Sequence, residues 1–168
     1  MGSASRHAPF SARPGTAPSP ALKPLPHCDI AAQVRVAPDE EVATALLRAL
    51  HESGELDGRS HGEISALDSL PGCRQQRLHW DFNPDLCDGL GCKPASVILG
   101  MQCGARLMVR DERANATVPI VLGTGDVLVF EGDVAHAGAS YCARNMRVHV
   151  YLDVAGVVRD RDFTWFRR

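Results

Sequence analysis

His79-Trp80-Asp81 is the first cluster in this sequence whose residue types suggest chemistry. In an extended strand, residues i and i+2 share a face. His79 and Asp81 then project together, with Trp80 on the other side. An imidazole and a carboxylate on one face make two thirds of a three-point metal site. His136, within Gly132-Asp133-Val134-Ala135-His136-Ala137-Gly138, is the candidate for the third point. Two histidines and one carboxylate hold an octahedral ion from one side and leave three positions open, the donor set of non-haem Fe(II) centres. Those open positions let a cosubstrate and dioxygen reach the ion. Taken alone, HxD also fits a histidine that is merely hydrogen-bonded in a core.

The elements that must position these residues are strands. From position 77 onward short runs recur at 77–82, 95–102, 105–110, 117–122, 126–131, 134–139 and 146–153, each bounded by Gly, Pro, Asn or Asp. Closely spaced short strands with no helical stretch between them indicate an antiparallel sandwich or barrel. Upstream, Asp39, Glu40 and Glu41 load the first turn of a helix with acid, which suits its positive N-terminus. Val42, Leu46, Leu47 and Leu50 form its apolar stripe, and Gly54 stops it. Residues 55–72 read as polar and irregular. On the last strand, alternation puts Arg147, His149 and Tyr151 on one face and Val148, Val150 and Leu152 on the other.

His79-x-Asp81, the strand Gly125-Asp126-Val127-Leu128-Val129-Phe130, His136-Ala137-Gly138 and Arg147 occur in an order that resembles the core of the Fe(II)/2-oxoglutarate-dependent oxygenases. The resemblance runs from His79 to Asp153, under half of the chain. It implies a mainly β fold, a double-stranded β-helix (jelly roll), with a flanking helix and a disordered N-terminal tail. It implies Fe(2+) bound by His79, Asp81 and His136, and 2-oxoglutarate held at its distal carboxylate by Arg147, with Tyr151 or Ser140 adding a hydroxyl. The activity implied is that of a 2-oxoglutarate dioxygenase (EC 1.14.11.-), a hydroxylase or demethylase that consumes dioxygen and releases succinate and carbon dioxide. Three features depart from the family pattern. The acidic, glycine-rich segment of the prolyl-hydroxylase branch is missing, His149 stands where some branches have Ser, and the insert from Asn83 to Pro94 matches no known part. Two other readings stay open: a non-catalytic jelly-roll binding module, and a cupin-like metalloenzyme without 2-oxoglutarate. Arg147 itself also fits a surface position, or a structural pair with Asp126 or Asp153.

Composition bounds the rest. The chain has 168 residues, 45% of them hydrophobic and 23% charged, enough for one domain with a sizeable core. A net charge of -2 gives no strong nucleic-acid signal. No apolar run reaches the roughly 20 residues of a membrane span. Residues 1–28 hold six of the eleven prolines and no acid. They read as a flexible tail or a targeting segment, ahead of a single domain over 29–168 with its core at 77–153. A cytoplasmic location follows, or an organelle if the tail is a transit peptide. The six cysteines form no CxxC pair, which argues against a structural zinc site. Cys87 and Cys92 read as free thiols or a local disulfide, and Cys103 and Cys142 as small apolar packers. Asn83 reads as a turn residue before Pro84, and His51 and His61 as surface residues. The terminal Phe163-Thr164-Trp165-Phe166-Arg167-Arg168 reads as a strand or plug on the barrel.

Overall fold

The computed structural model describes residues 33–157, 159 and 165–166; the proline-rich segment 1–28 lies outside them. The elements run β1 (Gln33–Val36), α1 (Glu40–Glu52), β2 (Ser60–Ser69), β3 (His79–Trp80), α2 (Pro84–Cys87), β4 (Ala95–Gly100), β5 (Ala105–Asp111), β6 (Ala116–Leu122), β7 (Val127–Glu131), β8 (His136–Gly138), β9 (Asn145–Asp153) and β10 (Trp165–Phe166). They form two five-stranded sheets, β1-β2-β9-β4-β7 and β10-β3-β8-β5-β6. Every strand pairing is antiparallel. The fold is mainly β, a double-stranded β-helix with one flanking helix.

Asp39 starts α1 by accepting hydrogen bonds from the Glu41 and Val42 amides at 2.9 and 3.1 Å, which satisfies two of the orphan donors of a helix start. Gly54 takes φ +80° just past the C-cap Ser53, a conformation that favours glycine. The buried stripe of α1, Leu46 and Leu50, packs on Ala66 of β2, Ala95 and Val97 of β4, and Val148, Val150 and Leu152 of β9. The helix thus covers the outer face of the first sheet. Between the sheets, Ile98, Ala105, Leu107 and Leu122 form a second cluster with Leu128 and Phe130. Strand β9 is therefore buried on both faces, one apolar under α1 and one polar toward the barrel interior.

Several sequence expectations change. The stretch 55–72 contains β2, the strand that hydrogen-bonds β9 along most of its length. The first strand expected, 77–82, is regular only over His79–Trp80, where it joins β8 on one side and β10 on the other. Cys103 and Cys142 are exposed rather than packed, and Cys87 and Cys92 are free thiols. Asn83 caps α2 by accepting from the Asp85 amide at 3.0 Å. No helix among the described residues is long and apolar enough to cross a membrane.

Candidate metal centre

His79 and His136 sit directly opposite each other on paired strands β3 and β8. Trp80 turns away and donates its indole N–H to the Asp133 carbonyl at 3.0 Å, which locks the short strand. His79 Nδ1 donates to the Arg77 carbonyl at 2.8 Å, and His136 Nδ1 to the Val134 carbonyl at 3.1 Å. A backbone acceptor on Nδ1 fixes the tautomer and leaves the Nε2 lone pair for a ligand. Both Nε2 atoms point at Asp81: His79 lies 3.9 Å from Oδ1 and His136 3.3 Å from Oδ2. One ligand atom from each of the three residues fits within 4.8 Å of the others. Metal–ligand bonds of about 2.0–2.2 Å put donors roughly 3–4 Å apart around one ion. Two imidazole nitrogens and a carboxylate converging at these distances suit a cation among them. The donor set thus fits a divalent metal.

The electrostatics keep the donors in their ligating states. Burial would raise the Asp81 carboxyl, but the neighbouring His136 and His149 hold it well below the usual carboxylate range. Burial, followed by the neighbouring His136, pushes the His79 imidazole below its ordinary value. A neutral imidazole and an ionised carboxylate are what metal binding requires.

The triad faces a cavity of about 60 Å³ between the sheets, lined also by Gln76, Arg147, His149 and Tyr151. Arg147 is 2% exposed, so the surface reading fails. Asp126 instead caps its own turn through the Gly123 amide at 2.7 Å, and among the described residues the Arg147 side chain bonds to Ser69 rather than to Asp153. The guanidinium donates from Nη1 to the Ser69 hydroxyl at 3.0 Å, while Nε has no partner among the described residues. Gly138 makes room for it: a Cβ there would stand 2.6 Å from Arg147 Nη2 and 2.7 Å from Gln76 Oε1. Gln76 is fastened by a reciprocal pair, its side-chain Oε1 accepting from the Gly138 amide at 2.8 Å and its backbone N–H donating to the Gly138 carbonyl at 3.0 Å. Tyr151 is buried in the cavity lining, with Arg35 by its hydroxyl and the Arg159 guanidinium 3.7 Å over its ring. Burial, then the Asp81 charge, pushes its phenol up to about 12. Ser140 is exposed and outside the cavity lining.

Sequence reasoning missed Ser69, Gln76 and Ser96. Ser96 was detectable as the one polar residue in the apolar run Ala95-Ser96-Val97-Ile98-Leu99. Its hydroxyl donates to Asp81 Oδ2 at 2.5 Å.

No family model and no curated protein matches the chain. Solved structures do. A Pseudomonas putida prolyl-4-hydroxylase aligns at 16% identity over 74% of this chain and 72% of its own, with a TM-score of 0.52. A cupin domain from Bordetella pertussis Tohama I aligns at 13% identity over 57% of this chain and 92% of its own, with a TM-score of 0.38. A structure from work on DMSP lyases aligns at 13% identity over 62% of this chain, with a TM-score of 0.40, and this chain spans only 43% of it. The likeness is one of fold, the double-stranded β-helix.

Proposed function

We propose that this chain is an Fe(II)- and 2-oxoglutarate-dependent oxygenase, hydroxylating or demethylating its substrate. The observation that carries this reading is Arg147. A buried guanidinium without a carboxylate is costly, and this one lies in the same cavity as a His/Asp/His donor set. A dianionic cosubstrate that reaches both resolves the imbalance. His79, Asp81 and His136 would hold the iron from one side. Iron there would supply the redox chemistry that couples conversion of 2-oxoglutarate to succinate and carbon dioxide with oxygen insertion into a substrate C–H bond.

The chain's own residues then have defined tasks. Arg147 binds the distal carboxylate with a planar fork that Lys cannot reproduce. Ser69 orients that fork from behind. The raised phenol of Tyr151 stays protonated and offers a donor to the cosubstrate cavity. Leu107 and Ile98, which line the cavity, exclude water from the space between Arg147 and the metal donors.

A cupin-like metalloenzyme without 2-oxoglutarate is favoured by one feature, the third buried imidazole of His149 in the same cavity. Calorimetric titration of 2-oxoglutarate into the Mn(II)-loaded chain separates the readings. Binding that needs both the metal and Arg147 supports the oxygenase. Failure of 2-oxoglutarate to bind the loaded protein overturns it, as does absence of succinate release under iron, dioxygen and candidate substrates.

A further inference from the structure

We propose that Ser96 and His149 are positioning residues that hold Asp81 by its Oδ2 atom, so that the carboxylate meets the metal at one point, through Oδ1. The proposal rests on the metal centre proposed above and adds two residues to it. Each carboxylate oxygen has two lone-pair sites. The Ser96 hydroxyl, fully buried on β4, takes one site of Oδ2 at 2.5 Å. His149 Nε2, on the neighbouring strand β9, stands 3.4 Å from the same atom. It is buried, and no hydrogen bond to another group among the described residues competes for it. Ile98 pairs with His149 in the β4–β9 register, two residues along from Ser96, so both groups come from the same rigid seam of the first sheet. The neighbour of Oδ1 is His79 Nε2, at 3.9 Å.

The arrangement matters because an octahedral ion has six positions. Three one-point protein ligands leave three, enough for a chelating cosubstrate and one more molecule. If both Asp81 oxygens bound the ion, only two would remain and the chelator would fill them. His136 Nε2 also lies 3.3 Å from Oδ2. With its Nδ1–H given to Val134, His136 would turn Nε2 to the metal as a ligand and would not orient Asp81 in the loaded site. Orientation of Asp81 therefore falls to Ser96 and His149.

The test measures Mn(II) affinity by electron paramagnetic resonance on the full chain, with Co(II) absorption as a report of coordination number. The variants are Ser96→Ala, His149→Phe and His149→Gln, and apo thermal unfolding is followed for each. Outer hydrogen-bond partners of metal ligands typically contribute 10–100-fold in affinity. Ser96→Ala and His149→Phe should weaken Mn(II) by about tenfold or more, with a Co(II) spectrum shifted toward higher coordination. His149→Gln, which keeps an N–H donor at similar reach, should restore most of the affinity. A merely structural role would lower apo stability without that rescue. If Ser96→Ala does not fold, the His149→Phe and His149→Gln pair decides alone. Wild-type binding with an indifferent Ser96→Ala and an indifferent His149→Phe overturns the proposal while leaving the metal centre standing. Equal loss in both His149 variants, with a Co(II) spectrum that has lost a nitrogen donor, makes His149 a ligand and overturns it too. Absence of Mn(II) binding by the wild-type chain removes the metal centre and this proposal together.

Discussion

Burial, followed by weaker opposing contacts from Tyr141 and Cys73, pushes the Arg147 guanidinium below its ordinary value. The guanidinium donates to the Ser69 hydroxyl, a neutral partner. A charge-assisted pair with a ligand carboxylate would therefore replace an unsatisfied state rather than an existing ion pair. Truncating one partner of such a buried pair costs roughly 2–5 kcal/mol. At 1.4 kcal/mol per tenfold, Arg147→Ala should raise the 2-oxoglutarate dissociation constant by about thirtyfold or more. Mn(II) affinity should change little, because no Arg147 atom belongs to the donor set. Titration of the metal-loaded variant checks both numbers. Unchanged 2-oxoglutarate affinity would remove Arg147 from the cosubstrate site. Ser69→Ala should show a smaller effect in the same direction, since it frees the guanidinium to turn without removing it.

At the scale of elements, β2 is the strand whose loss would cost the site most. It carries Ser69 behind Arg147, and it is tied to the turn before β9 by Asp68. Arg144 grips Asp68 through both carboxylate oxygens, with bonds of 2.8–3.1 Å. This holds the Asp68 carboxyl below its ordinary value. A depressed carboxyl contributes stability that is present above its unfolded value, near 3.8, and is lost as pH falls through the lower folded value. Arg144→Gln should therefore reduce the thermal midpoint at neutral pH and at pH 5. The difference from wild type should narrow steadily as pH falls below about 3.8, as melting curves across that range would show. A gap that does not narrow with falling pH would mean that Arg144 acts by packing.

The same strand marks where the sequence stopped being legible. Helix α1 and strands β4 to β9 announce themselves through acid-loaded caps, apolar periodicity and turn residues. In β2, Ser60-His61-Gly62-Glu63-Ile64-Ser65-Ala66-Leu67-Asp68-Ser69, the inner face meets a polar cavity and the outer face needs only Ala66 and Ile64 under the helix. Its register also shifts between His61 and Ile64, where Gly62 lies so close to the Asp153 carboxylate that a side chain would collide with it. Strand β1 inverts the usual rule: Gln33 and Arg35 line the cavity while Val34 and Val36 are exposed. Hydrophobic alternation reports burial in apolar surroundings, so strands that build a polar site escape it. Two of the three candidate donors were legible because HxD needs only local alternation, and His136 came from the motif context around it. The contacts from Ser96, Ser69 and Gln76 were not, because each depends on long-range register.

For the whole molecule, the centre joins two sheets that otherwise meet through a modest apolar cluster. His79 and His136 belong to one sheet, and their outer neighbours Ser96 and His149 to the other. Binding of an ion at Asp81 would clamp the two sheets from inside. A ligand that binds only the folded state stabilises by RT ln(1 + [L]/Kd), about 2.7 kcal/mol at a hundredfold excess over Kd. In a domain of this size each kcal/mol moves the midpoint by roughly 2–8 °C. Mn(II), a redox-silent stand-in for iron, should raise the thermal midpoint by about 5–20 °C at that excess. A chelator should reverse the gain. His136→Ala should show none of it, because two remaining donors cannot hold the ion, while its apo midpoint should stay measurable and cooperative. Scanning calorimetry of both proteins, with and without Mn(II), reads the result. An equal Mn(II) shift in His136→Ala would place the ion elsewhere on the surface. No shift in the wild-type chain would leave the fold without the metal its donors are arranged to receive.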